Sequence, residues 1–456
     1  MAELHVWMNG QPVGVWTTLR TGTPVLRYDE TWVQSPQGRA LSLSLPFTAD
    51  LEHRGAVVTH YFDNLLPDSA DIRRRIRRRF HAPSDAAFDL LAAIGRDCVG
   101  AVRLLPPGAE PAGWDRVEAE PLKDADVDVI LRSVTADLPL GQAGDKDDFR
   151  ISIAGAQEKT ALLRMGNRWY RPHGATPTTH ILKLPLGHVG PMRADMTDSV
   201  ENEWLCARIM AGLGFDMAPT EMATFGDTKA LVVTRFDRRW QGVPPGAQTK
   251  ARFKPPAGAW IARLPQEDFC QALGVAPDRK YQSDGGPSVQ DCLGVLAQGE
   301  SAVADRATFA LAQLAFWLLA ATDGHAKNFS IAHRRGGRFG LTPLYDVLSA
   351  WPVIGDGANR IAYERAKLAM SIRGEKSQHD RLRDLQARHW RRLADTAGPG
   401  VWAQMAATAG QADAVLAEVE QGLPAGFPER TWAPVAAGLR RHAELFLRGI
   451  EALGVG

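Results

Sequence analysis

Apolar and polar positions alternate over residues 4–8 and 13–16, and Asn9-Gly10 stands between the two runs. Period-two alternation around an Asn-Gly pair predicts a β-hairpin. Leu41-Ser42-Leu43-Ser44-Leu45 alternates as cleanly and predicts a half-buried strand. Pro67-Asp68-Ser69 then caps a helix whose apolar positions are Ile72, Ile76 and Phe80. A second helix begins over 88–91, and 100–105 reads as a strand. Pro, Gly and acidic residues dominate 106–148, which predicts a connector around one short helix. Alternation resumes at Phe149 and continues past Lys159 over 160–163, predicting two strands joined by a turn at Gly155. Residues 180–184 and 230–233 are further strands, 186–199 a loop, and 201–211 a helix stopped by Gly212 and Gly214. Pro and Gly recur over 241–258 beside Lys250, Arg252 and Lys254, the pattern of a mobile surface loop. From Gln266 onward the periodicity is mostly helical and includes a long apolar run over 309–321. The expected fold class is α+β. A mixed α/β N-terminal domain with its connector spans 1–148, a strand-rich part 149–260, and a helical part 261–456.

Composition narrows the function classes. The 456 residues allow two or three domains with sizeable cores, and 45% hydrophobic content is ordinary for a folded chain. A net charge of +1 excludes a polycationic nucleic-acid coat, although arginine clusters can still form local patches. Arg73, Arg74, Arg75, Arg77, Arg78 and Arg79 are such a cluster, either a solvated helix face or a contact for an acidic partner or nucleic acid. Cys98, Cys206, Cys270 and Cys292 are scattered, which argues against a disulfide scaffold or zinc site and fits a reducing cytoplasm. The N-terminus lacks the basic start and apolar core of a signal peptide, and no apolar run is long enough for a bilayer; no membrane partner is expected.

Chemistry concentrates after the apolar run, in Thr322-Asp323-Gly324-His325-Ala326-Lys327-Asn328. An Asp followed five positions later by an Asn is the spacing of a kinase catalytic loop. There the Asp accepts the proton of the attacking hydroxyl and the Asn holds Mg²⁺. Asp346 follows where a kinase places its main metal ligand. The preceding chain offers the other parts of a phosphoryl-transfer site in kinase order: a protein-kinase-like, two-lobed fold using ATP and Mg²⁺. The turn Ala154-Gly155-Ala156-Gln157-Glu158-Lys159 lies between two strands, so its amides are candidates to cover phosphates, or it is a plain hairpin turn. Lys183 lies inside an apolar strand, where an ammonium needs an anion unless it snorkels from an edge. Glu203, twenty positions on, stands at the separation at which kinases pair a strand lysine with a helix glutamate. Lys327 is placed to touch the γ-phosphate, and His325 packs the loop within the nucleotide-contacting set. Phe236, in the segment joining the lobes, is an adenine-stacking candidate or an ordinary core phenylalanine. Asp323, Asn328 and Asp346 also have local readings, as an Asp-Gly turn, a loop cap and a helix N-cap.

Longer motifs sharpen this reading. Residues 149–163, 179–185, 235–240, 263–268, 280–287 and 321–330, with 61–69 and 88–91 in the N-terminal part, resemble the HipA toxin-kinase family, and the similarity runs from the first hairpin to the C-terminal helices. The resemblance implies a serine/threonine kinase that is the toxin of a toxin–antitoxin pair. Its partner would be a small DNA-binding dimer of the HipB type, and the two together would bind operator DNA and repress their own operon. The freed toxin would phosphorylate an aminoacyl-tRNA synthetase, glutamyl-tRNA synthetase in the best-known member, arresting growth and making cells drug-tolerant. It also implies autophosphorylation at Ser152, whose added charge of about −1.5 to −2 would be repelled by ATP and turn the phosphate loop outward. Localisation would be cytoplasmic, and nucleoid-associated when antitoxin and DNA are bound.

The chain departs from the family's pattern in places. Residues 241–258 are longer than the usual connection. Arg373, Lys376, Arg381 and Arg383 fall where family members touch DNA but align poorly, so Lys376 and Arg381 are carried only as possible DNA contacts. Asp346 is flanked by Tyr345 and Val347, so the Phe switch of ordinary kinases is not expected. Two alternatives remain open: a small-molecule phosphotransferase, and a catalytically silent corepressor bound to DNA.

Overall fold

The computed structural model describes residues 2–135, 155, 157–190 and 192–454. The chain is α+β and divides into two compact units. Each is built from three separated stretches of chain. The first unit takes residues up to Leu184, then Ala223–Asp278 and Ser330–Phe339; the second takes the rest.

In the first unit the hairpin Ala2–Met8 and Gln11–Thr18 turns at Asn9 (φ 46°) and Gly10 (φ 80°). Two successive positive φ values match the twist of the flanking strands, which is why the turn is Asn-Gly. Pro24–Tyr28, Glu52–Arg54 and Val102–Leu105 extend this to a five-stranded sheet. Helices Ala56–Asp63 and Ala87–Ile94 cover it, and Trp16 stacks on Phe62 with ring centroids 4.1 Å apart.

The alternating stretch 41–45 is not a strand. Leu41 and Leu45 are buried, but the Tyr28 hydroxyl accepts from Leu41 N and donates to Leu45 O, closing a turn between them. Ser42 and Ser44 both donate to Gln271 O, and Leu43 N donates to Glu267. Serine hydroxyls competing for backbone partners favour turns over ladders.

A six-stranded sheet follows, in the order Thr220–Phe225, Thr228–Thr234, His180–Lys183, Lys159–Met165, Arg168–Pro172 and Ala119–Leu122. Its last strand and the helix Asp124–Thr135 come from the stretch expected to be a connector. Val127 and Leu131 of that helix are buried with Leu162, Leu182 and Val232 of the sheet. Residues 241–258 join two paired strands, Arg238–Gln241 and Trp260–Arg263.

A buried ionic cluster ties these parts of the first unit together. Asp97 meets Arg238 at 2.9 Å and Arg263 at 3.0 Å, while Arg235 meets Asp237 at 2.7 Å. Burial alone would raise the Asp97 pKa, but Arg238, Arg263 and Arg235 outweigh it and hold the carboxyl well below the usual range.

The second unit is largely helical: Ser199–Gly212, Val289–Leu296, Ala302–Leu318, Ala387–Ala397, Val401–Gly410, Ala412–Gln421 and Glu429–Ala452. Two short hairpins interrupt the expected pattern. Gly187–Val189 pairs with Ala194–Met196 in a stretch read as loop, and Lys367–Arg373 pairs with Gln378–Arg381. Helix Ala302–Leu318 carries the long apolar run, but ends before Ala320, which is left-handed (φ 47°). Its Trp317 stacks on buried His442 of helix Glu429–Ala452 at 4.2 Å. No helix among the described residues is long and apolar enough to cross a membrane.

Candidate active site

The loop after helix Ala302–Leu318 is fixed from both sides. Ala350 N donates to Ala320 O at 3.0 Å, and Ala321 N to Phe316 O at 2.7 Å. Gly324 lies against the Phe316 ring so closely that a Cβ there would run into it. This packing explains the Gly in Asp-Gly-His, since only a residue without a side chain lets the loop cross the end of the core helix.

Within the loop, His325 N donates to Asp323 O (2.8 Å) and Asn328 N to His325 O (2.9 Å). Asn328 Nδ2 donates to Asp323 O at 2.9 Å and reaches Asp346 O at 3.4 Å. The Asn328 amide thus joins the two acidic segments through their backbones, which turns its Oδ1 away from both carbonyls. Tyr345 donates its hydroxyl to Lys327 O at 3.1 Å. Asp323 keeps a largely exposed carboxylate (62%), whereas His325, Lys327 and Asn328 are buried.

Asp346 is left-handed, with φ 61°. No helix begins at Val347, so the N-cap reading of Asp346 does not hold. A non-glycine residue in this region is uncommon and persists where surrounding structure imposes it. Here the strand-like bridge of Leu344 with Met217 fixes one side, through Leu344 N to Asp216 O and Ala218 N to Leu344 O, both 2.8 Å. Asn202 fixes the other: its Nδ2 donates to Ser349 O, and Ser349 N donates to its Oδ1, both at 2.8 Å. Glu203, the next residue on helix Ser199–Gly212, is buried in the same unit.

In the first unit, Gly155 (φ 115°) bridges Pro67, and Asp68 N donates to Gly155 O at 3.0 Å. The Glu158 carbonyl leads into the sheet, where Leu184 N donates to Glu158 O at 3.0 Å. The Glu158 carboxylate pairs with Arg75 of helix Ala70–Phe80. Lys159 stands directly opposite Lys183 in the sheet register, and the Lys159 ammonium lies over Gly155. Directly opposed residues share a sheet face, and like charges placed so are unfavourable unless an anion joins them. Lys183 is buried. Phe236 is half-buried in the turn between Thr228–Thr234 and Arg238–Gln241, within the first unit. It is held between Arg235 and Asp237 of the buried ionic cluster. Ser152, Ala154 and Ala156 lie outside the described residues.

No group of three or more His, Cys, Asp or Glu side chains is placed to hold a metal among the described residues. Asn328 and Asp346 together offer a neutral and an anionic oxygen. That donor set suits a hard cation that draws its remaining ligands from water and phosphates. Arg373, Lys376, Arg381 and Arg383 are exposed on or beside the hairpin formed by Lys367–Arg373 and Gln378–Arg381.

Residues 151–426 match the HipA-like C-terminal domain, and residues 4–105 match the HipA N-terminal domain. The chain belongs to the HipA family. Its HipA relatives include "Putative kinase Y4mE" of Sinorhizobium fredii, 33% identical over 87% of this chain and 86% of that protein. The serine/threonine-protein kinase toxin HipA of Shewanella oneidensis is 28% identical over 72% of this chain and 70% of its own length. A solved complex of Shewanella oneidensis HipA, HipB and operator DNA aligns over 99% of both chains, with a TM-score of 0.76 at 24% identity. Membership makes this chain one of a family of serine/threonine kinase toxins.

Two contacts in this HipA-family chain were not assigned from sequence. Arg75 was one of six arginines on a helix, and no local signal separates it from the others. Tyr281 donates its hydroxyl to Asp323 across 42 positions. Its segment, Lys280-Tyr281-Gln282, belonged to the family motifs, but a lone loop tyrosine carries no role by itself.

Proposed function

We propose that this chain is an ATP-dependent serine/threonine protein kinase acting as the toxin of a toxin–antitoxin pair. The observation that carries this reading is the Asn328 amide joining Asp323 and left-handed Asp346 in one loop assembly. Asp323 is the general base: its exposed carboxylate takes the proton of a seryl or threonyl hydroxyl as that oxygen attacks the γ-phosphorus. Such help is typically worth roughly 10²–10⁴-fold. Asn328 and Asp346 would hold Mg²⁺, which when bound neutralises charge on the β- and γ-phosphates. Lys183 and Lys159 bring cations to the phosphates, backbone around Gly155, Gln157 and Glu158 covers them, and Lys327 reaches the γ-phosphate from its own loop. His325 packs the catalytic loop, and Phe236 stacks on adenine.

The finer assignments rest on family membership. The substrate is an aminoacyl-tRNA synthetase, glutamyl-tRNA synthetase above all, and its phosphorylation arrests growth. Ser152 is an autophosphorylation site that switches the nucleotide site off. A HipB-type antitoxin dimer binds the chain, and the pair represses its operon on operator DNA, with Lys376 and Arg381 exposed for that contact.

Intact mass after incubation with Mg²⁺ and ATP tests the core of this reading, with Asp323→Asn and Ser152→Ala in parallel. A gain of one phosphoryl group in wild type, absent from both variants, is expected. A gain that survives Ser152→Ala moves the site. No gain, with glutamyl-tRNA synthetase also unmodified, overturns the kinase.

A further inference from the structure

Tyr281 sits on a loop of the second unit built to hold it in one place. Asp284 N and Gly286 N both donate to Tyr281 O at 3.0 Å. Gly286 has no room for a side chain against the carbonyls of Arg279 and Tyr281. Gln282 Oε1 accepts from Ser371 N at 2.8 Å, tying the loop to the strand Lys367–Arg373. From this base the Tyr281 ring meets His325 edge-on at 5.1 Å, and the Lys280 ammonium lies 5.3 Å from its centre. The phenolic oxygen donates to Asp323 Oδ1 at 2.5 Å.

A hydroxyl donating to that carboxylate is what a phosphoryl acceptor must supply before its proton is taken. Asp323 is otherwise open to solvent, so the phenol stands where an incoming seryl or threonyl hydroxyl would bind. A phenol on a tied loop is a competitor at full local concentration, and an acceptor must displace it.

We propose that Tyr281 is an acceptor-side gate: its hydroxyl occupies the acceptor's place at Asp323 and yields only to a substrate that replaces that hydrogen bond. This rests on the kinase reading of Asp323. The gate is a positioning and specificity device, so it acts on acceptor binding and leaves nucleotide binding alone. Tyr281→Phe keeps the ring against His325 and under Lys280 and removes only the hydroxyl.

Two measurements test it. In protein labelled with 3-fluorotyrosine, the ¹⁹F resonance lost in Tyr281→Phe identifies Tyr281, and Asp323→Ala is expected to shift it. An unmoved resonance overturns the contact. With dephosphorylated casein as acceptor, Tyr281→Phe is expected to lower the acceptor KM roughly three- to tenfold, the size of one net hydrogen bond at a solvated site. The ATP KM stays unchanged. An unchanged acceptor KM overturns the gate. A fall in kcat at constant KM also overturns it, because Tyr281 would then align Asp323. If the resonance moves but wild type and variant transfer nothing to casein or to themselves, the kinase reading itself falls. That outcome is distinct from a gate failing in an active enzyme.

Discussion

Arg75, on the arginine-rich helix Ala70–Phe80, forms an ion pair with Glu158 in the turn that follows Gly155. Both side chains are about three-quarters buried, and Arg73, Arg74 and Arg77 of the same helix pair with Asp63, Asp71 and Asp85. The helix thus keeps the solvated face expected of it, with Arg74 and Arg77 exposed, while Arg75 turns inward. One of its arginines reaches the segment proposed to cover ATP phosphates.

Arg75→Ala should loosen that turn with little effect on the rest of the fold. A partly buried pair of this kind contributes on the order of 1 kcal/mol. The ATP KM should rise several-fold while the urea midpoint moves slightly. Arg74→Ala, whose partner Asp71 is exposed, is the control. Equal effects from both would show that the Arg75–Glu158 contact has no special role.

Asp346 separates strain from chemistry. Its left-handed backbone suits glycine, so Asp346→Gly should leave stability within about 1 kcal/mol of wild type. Phosphoryl transfer should fall at least about 10²-fold, because the carboxylate is gone. Chemical denaturation and a transfer assay on the same sample read both. A large loss of stability would mark Asp346 as a structural residue.

Asp97 answers to three buried arginines, so removing its charge leaves cations uncompensated. Asp97→Asn should cost about 3–5 kcal/mol. Because the folded pKa is depressed, the stabilisation is fully present above the unfolded value near 4 and fades as pH falls below it. Urea unfolding at pH 7 and below pH 4 should show the difference between wild type and variant shrinking at the lower pH. A constant difference would mean that packing, not charge, is lost.

His442 carries the opposite lesson on pH. Burial, partly offset by its bond to Trp317 O and reinforced by Arg441, pulls its pKa down to about 4. Its ring accepts from the Tyr363 hydroxyl at 2.9 Å in the neutral form. The unfolded chain gains a proton near pH 6.5 that the folded chain refuses until about pH 4. Stability therefore falls through that window and levels off below it. Between pH 7 and 5 this one group should cost about 2 kcal/mol. His442→Gln should flatten that part of the profile, and an unchanged slope would assign it to other histidines, such as His180 and His389, whose pKa values are also lowered.

The parts most legible in the sequence were those set by short spacing. Asn9-Gly10 names its hairpin because both positions need positive φ. Asp323 and Asn328 lie five apart, and the amide of one reaches the backbone of the other. Long-range relations were not legible. Tyr281 and Asp323 are 42 positions apart, and Arg235, Arg238 and Arg263 look like surface charges until Asp97 is brought among them. Alternation misled at 41–45, where serine hydroxyls and the Tyr28 hydroxyl supply partners that favour a turn. The strand Ala119–Leu122 carries little strand signal, because its apolar content is small and Pro121 interrupts it.

The interleaving of the two units has a consequence for the order of events on the ribosome. The first unit lacks a segment until Phe339 has been made. The second lacks helix Glu429–Ala452, whose His442 covers Trp317 just ahead of the loop that carries Asp323 and Asn328. A nascent chain that has already emerged with Asp323 and Asp346 still lacks the helix that packs on Trp317 in the same unit. Neither unit can therefore close until residues far downstream of its first stretch have been made, and the second waits for nearly the whole chain.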